Sequence, residues 1–236
     1  MSNMIDSRSN NYGRNAVLPL VALLSASGVG VVLTGLRIER TGDWTYVFLV
    51  WNLMLAWLPL IFAIGVHTRH QRREKSGWRL YGLAVLWLLF FPNAPYIFTD
   101  MIHTMGGFLS TFWYDYILVL LFGFIGFMLG FVSLYLMQTV VAERMGRRAS
   151  WYFIVAMAWL SGFAVYMGRF LRWNSWDVVV HPVKVGQALG HFAFHPWAEQ
   201  TSLIFSALFA TFMFLGYLML YALTHLQPRQ TLGVIV

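Results

Sequence analysis

Six stretches of about twenty residues each run through this chain almost without a charge, and no other feature limits its folding more. They cover residues 16–36, 44–66, 78–98, 116–138, 151–171 and 201–225. An α-helix of that length crosses the hydrocarbon core of a bilayer. The runs are continuous rather than alternating, which excludes a membrane β-barrel, and only helices or closed barrels satisfy their backbone polar groups in lipid. Composition agrees. The chain is 59% hydrophobic and 11% charged, against about 25% charged in soluble domains. A globule of 236 residues has too little interior to hide so much apolar surface. The expected fold class is all-α: a polytopic membrane helix bundle of about six transmembrane helices.

One bundle over residues 16–225 is expected, with a polar, loosely ordered tail at 1–15 and a short tail at 226–236. Ser25, Ala26 and Ser27 also suit a signal-peptidase site, but an uncleaved first helix is the preferred reading. Most runs carry Trp or Tyr near an end, where amphipathic rings settle among headgroups. Cysteine is absent, so neither disulfides nor thiolate metal ligands are available. The net charge of +7 invites a nucleic-acid reading until the charges are placed. Eleven Lys and Arg fall on the side of the termini, including Arg69, Arg72, Arg73, Lys75, Arg144, Arg147 and Arg148, and five on the other. That asymmetry is the positive-inside pattern: it puts both termini in the cytoplasm and leaves no nucleic-acid partner to invoke.

Almost every unusual polar residue then falls at the outer end. Phe90-Phe91-Pro92-Asn93-Ala94-Pro95-Tyr96 closes the third run, and its two prolines remove two amide donors and free carbonyls near Leu88 and Phe91. Asn93 is a candidate to satisfy that backbone. Tyr96, Asp100 and His103 stand at i, i+4 and i+7, one face of a continued helix. Asp100 and His103 also have a spacing used by metal ligands and by acid–base pairs, although a carboxylate that orients a histidine is commoner. Asp115, at the start of the fourth run, reads first as a helix N-cap and second as partner of Asp100 in a carboxylate pair. Arg169 lies about one turn inside the fifth run, where a bare guanidinium is costly. It forms either a fork with Arg172 for phosphate or carboxylate, or an ion pair with Asp100, Asp115 or Asp177. Asn174 and Asp177 complete the outer candidates.

Residues 183–194 read as a short interfacial helix between the fifth and sixth runs. His191 and His195 stand four apart and are weak metal candidates, because Pro196 pushes the residue before it away from helix. Gly123, Gly126 and Gly130, with Ser27, Gly30 and Gly35, suit close helix packing, and Asn52 an interhelical hydrogen bond.

Phe91-Pro92-Asn93-Ala94-Pro95-Tyr96-Ile97-Phe98-Thr99-Asp100, Trp113-Tyr114-Asp115 and the run from Gly168 to Asp177 closely resemble a family of bacterial multi-pass membrane proteins known as domain of unknown function 1361. The similarity spans most of residues 45 to 225. It implies a bacterial inner-membrane location and carries no activity, substrate or cofactor. The leading functional expectation is a protein that binds or transports a polar or anionic group, such as a lipid headgroup, at its outer end. The alternatives are an accessory subunit of a larger membrane complex and a membrane-embedded, metal-dependent hydrolase or transferase using Asp100, His103 and Asp115. Membrane lipids are the expected partners, alongside a membrane-protein partner or a second copy of the chain. The cofactor is left unknown.

Overall fold

The computed structural model describes residues 2–73, 77–104, 111–172, 180–184, 186–187, 190 and 200–225, with side chains from residue 17 onward. Every regular element among them is helical: α1 (Ser2–Thr41), α2 (Val47–Gln71), α3 (Trp78–Phe90), α4 (Asn93–Tyr96), a 3-10 helix (Ile97–Thr104), α5 (Phe112–Met145), α6 (Arg147–Phe170) and α7 (Gln200–Thr224). Among the described residues six segments are long and apolar enough to cross a membrane, the first beginning at Val17 and the third running from Trp78 to Thr104 through its break. The end holding the second and fourth connections is called proximal below, and the opposite end distal.

α5 is the axis of the bundle, with 67% of its apolar stretch buried against 22% for that of α1. One core packs α5 with α3, α6 and α7 through Trp87, Phe91, Phe127, Phe131 and Tyr217. A second packs it with α1, α2 and α4 through Leu49, Ala56, Leu60, Ala94 and Phe122. Outward faces stay apolar, with Leu18 at 74% and Trp78 at 80% exposure. Such faces suit lipid, where close van der Waals packing rather than exclusion of water holds helices together.

The helices overrun the expected spans. α5 has 34 residues, about 50 Å of helix, so it leaves the bilayer before it ends. It passes directly into α6 through Gly146, at φ +91°, a conformation that glycine adopts without strain. The third span does the opposite. α3 has 13 residues, about 20 Å, short of the roughly 30 Å hydrocarbon core, and breaks at Phe91 and Pro92. The Phe91 carbonyl accepts from the Ala94 amide at 3.2 Å, a tight turn that replaces the bond Pro95 cannot donate. Irregular backbone at this depth has to be covered by protein. Here Ala94 and Ile97 are fully buried against the stripe of Gly123, Gly126 and Gly130, and a Cβ on Gly126 would run into the Ala94 carbonyl. The expected packing role of these glycines, and of Gly30 against the Phe122 ring, is thus specific. Gly35, expected to pack as well, faces open space.

Beyond Tyr96 the chain continues as a 3-10 helix instead of the expected α-helix. Its period of three residues keeps Asp100 and His103 on one side, so their alignment survives for a different reason. Of the expected interfacial helix, residues 183–184, 186–187 and 190 are described and helical.

Candidate functional site

Two arginines, on two different spans, meet two aspartates at the distal end. The first pair was not anticipated. Arg37, near the end of α1, donates through Nε to Asp115 Oδ1 at 2.6 Å and through a terminal nitrogen to Oδ2 at 3.2 Å. It also donates to the Asp43 carbonyl at 3.0 Å and carboxylate at 3.1 Å, and its guanidinium lies 4.3 Å from the centre of the Tyr46 ring. Asp115 is therefore no N-cap. Thr111 holds that position, and Asp115 sits inside the first turn of α5, turned toward Arg37 rather than toward a free amide. Nor is it available to a carboxylate pair with Asp100. Its charge still meets the positive end of the helix. Both side chains are under 10% exposed, while Asp43 lies in the connection before α2. Hydrogen bonds from the Thr45 hydroxyl and amide, and then Arg37, hold the Asp43 carboxyl below its ordinary range. Burial, followed by the Asp115 carboxylate, raises the Tyr46 phenol.

The second cluster forms around Arg169, in the last turn of α6, where a cation suits the helix dipole. Its guanidinium reaches across to the 3-10 helix. One terminal nitrogen donates to Asp100 Oδ1 and, at 2.8 Å, to the Thr99 hydroxyl, which also accepts from Nε at 3.2 Å. The other terminal nitrogen stands 3.1 Å from His103 Nε2. Arginine only donates, so in a hydrogen bond between them that imidazole nitrogen is the acceptor and carries no proton. The Tyr96 ring lies beside the guanidinium, 4.7 Å centre to carbon, at cation–π distance. Asp100 Oδ2 accepts from Asn52 of α2 at 2.9 Å.

Burial is graded across this cluster. The Asp100 side chain is 2% exposed, Arg169 14% and His103 47%. The two clusters touch through Tyr46, whose hydroxyl donates to the His103 carbonyl at 3.4 Å. Phe48 packs edge-on against the His103 ring.

Of the carboxylates considered for Arg169, it is Asp100 that pairs. Arg172 lies past the end of α6 and is exposed, at φ +57°, a left-handed conformation uncommon for a residue with a side chain. Asn93 lies half-buried in the turn between α3 and the 3-10 helix. Asn174, Asp177, His191 and His195 lie outside the described residues. Among the described residues no three His, Asp or Glu side chains lie close enough to hold a metal ion.

Asn52, Thr99, Arg37, Asp43 and Tyr46 were not singled out as site residues. Asn52 carried a signal, as an amide in an apolar span; Thr99 carried none. The proximal end, which looked generic, has a tie of its own between α2 and α5. His70 Nε2 meets Glu143 at 2.8 Å and its Nδ1 accepts from Arg144 at 3.2 Å.

These features define a multi-pass helical membrane bundle with a broken third span and a charged distal cluster. Residues 51–216 match the family model described as Protein of unknown function (DUF1361), and the chain belongs to that family. No curated protein and no solved structure matches it.

Proposed function

We propose that this is a bacterial inner-membrane protein that binds or transports a polar or anionic group, such as a lipid headgroup, at its periplasmic face, which the distal end forms. Arg169 is the gripping residue, Asp100 its resting counter-ion and His103 the exposed rim, with Tyr96, Asn93 and Arg172 around them. The observation that carries this reading is the graded exposure of an ion pair inside a span. A buried ion pair is a poor device for stability alone, and ionisable groups in spans favour functional sites. Helix breaks beside such charges recur where membrane proteins bind ligands.

The test is retention of anionic lipid by the purified protein in native mass spectrometry. Wild type is expected to keep it, and the charge-free pair Arg169→Gln with Asp100→Asn to lose it while remaining folded. Equal retention by both proteins would overturn the reading.

An accessory subunit is the second reading. What favours it is that Arg169 already contacts Asp100, Thr99 and His103 of its own chain, as a helix tie would. A stoichiometric membrane partner that co-purifies, or a second copy, would support this alternative. The hydrolase reading has lost Asp115 to Arg37.

A further inference from the structure

Asp100 Oδ1 faces two nitrogens. One belongs to Arg169, in direct contact; the other is His103 Nε2, at 4.0 Å. That same Nε2 accepts from Arg169 at 3.1 Å. The three groups form a triangle whose charge is zero, with one guanidinium, one carboxylate and one neutral imidazole. An anion that docked on this triangle unaided would leave an unmatched negative charge at the end of a span, which is costly.

A proton on Nε2 changes all three sides at once. It removes the acceptor that Arg169 uses, sets a second cation beside the guanidinium and creates a new donor for Asp100. A hydrogen bond from Nε2 to Oδ1 requires it to move inward by about 1 Å. His103 has that freedom, being half exposed and braced at its ring by the edge of Phe48. Asp100 does not, because it is buried and Asn52 holds its other oxygen. The carboxylate therefore keeps one cationic partner while Arg169 is released from it, and the fork of a freed guanidinium matches an oxyanion.

No other described ionisable group competes for the ring. Tyr46 donates to the His103 backbone, and on α5 Asp115 is engaged by Arg37, as is Asp43 before α2.

We propose that the site binds one singly charged oxyanion, a phosphodiester or its equivalent, together with one proton taken up by His103, which replaces Arg169 on Asp100. This rests on the binding reading above and assigns it a ligand charge and a coupling. Arg169, Asp100 and the proton-bearing His103 sum to +1, so a monoanion closes the balance and a dianion does not.

The test uses two probes that stay singly charged between pH 5 and 8. One is phosphatidylglycerol in phosphatidylcholine nanodiscs carrying the full chain; the other is dimethyl phosphate in water. Affinity should tighten as pH falls, by up to about tenfold per pH unit where the imidazole titrates. In His103→Gln it should be independent of pH. Binding of the lipid probe alone assigns the oxyanion to a headgroup, and binding of the soluble probe assigns it to solution; either supports the proposal. Proton uptake on mixing, read with an indicator dye in weak buffer, tests the unmodified protein and should approach one per ligand. Binding without uptake, a flat profile in the wild type, or an unchanged profile in His103→Gln overturns the coupling and leaves the binding reading standing. Failure of both probes at every pH overturns both.

Discussion

Arg37 and Arg169 each close a span at the same end of the bundle, and each grips an aspartate of another element. Their surroundings differ in what they leave free. Arg37 is held by both oxygens of Asp115, by the carbonyl and carboxylate of Asp43 and by the face of Tyr46. Its pair is buried on both sides, and the arginine has two carboxylates to itself. Arg169 has one carboxylate and completes its contacts with a hydroxyl and an imidazole, the last of them half exposed. A cation with surplus negative partners is a staple, since no change at one of them releases it. A cation balanced one to one, with a titratable neutral group as its third contact, is exchangeable. Arginine and aspartate thus serve as a lock in one cluster and as a candidate binding site in the cluster that touches it through Tyr46.

The largest expected effect lies at the lock. Asp115→Ala leaves Arg37 buried with only the exposed Asp43 as counter-ion, and should cost about 3–5 kcal/mol, seen as a lowered Tm in detergent. Replacing both members, Arg37→Met with Asp115→Leu, should recover most of that loss, because the penalty is an unpaired charge rather than a missing contact. If Asp115→Ala is tolerated, the lock is no lock and the contrast fails.

Next comes the support under the exchangeable pair. Gly126→Ala drives a methyl into the Ala94 carbonyl and should cost about 1–3 kcal/mol by displacing the turn that carries the 3-10 helix. Gly35→Ala, with nothing near it, should be neutral or slightly stabilising, within about 1 kcal/mol. Equal effects at the two glycines would mean that close approach is not what holds the broken span.

How much of this was legible follows from which forces act locally. Lipid selects apolar side chains residue by residue, so the six spans could be read from composition alone. The break at Pro92 and Pro95 was readable because proline acts on its own turn. Asp100 as partner of Arg169 was one of three options, and only the packing of α6 on the third span selects it. The Arg37–Asp115 pair joins residues 78 positions apart, and Arg37 at a span end looks like any residue that orients a helix. Asn52 was noticed as a buried amide, but its partner depends on the 3-10 helix, whose geometry arises from tertiary contact with the glycine stripe. Long-range polar matching, which no periodicity encodes, is what stayed hidden.

A smaller effect on stability is expected at the exchangeable pair itself. Asp100→Asn with Arg169→Gln removes both charges at nearly constant volume, and should change stability by no more than about 1 kcal/mol in the same thermal assay. A loss as large as that of Asp115→Ala would make Arg169 a second staple and favour the accessory-subunit reading.

The smallest effect separates the clusters by pH. Asp43 is exposed, and the Thr45 hydroxyl and amide, with Arg37, depress its carboxyl. A depressed acid stabilises the folded state above the range in which a free aspartate titrates, and loses that contribution as pH falls through the lowered folded value. Wild type should therefore exceed Asp43→Asn slightly in stability near neutral pH, and the two Tm curves should converge only in strong acid. Any pH dependence of ligand binding, by contrast, belongs to the cluster that holds His103. If Asp43→Asn altered stability between pH 5 and 8 as His103→Gln is expected to alter binding, Tyr46 would be coupling the clusters, and lock and site would be one network.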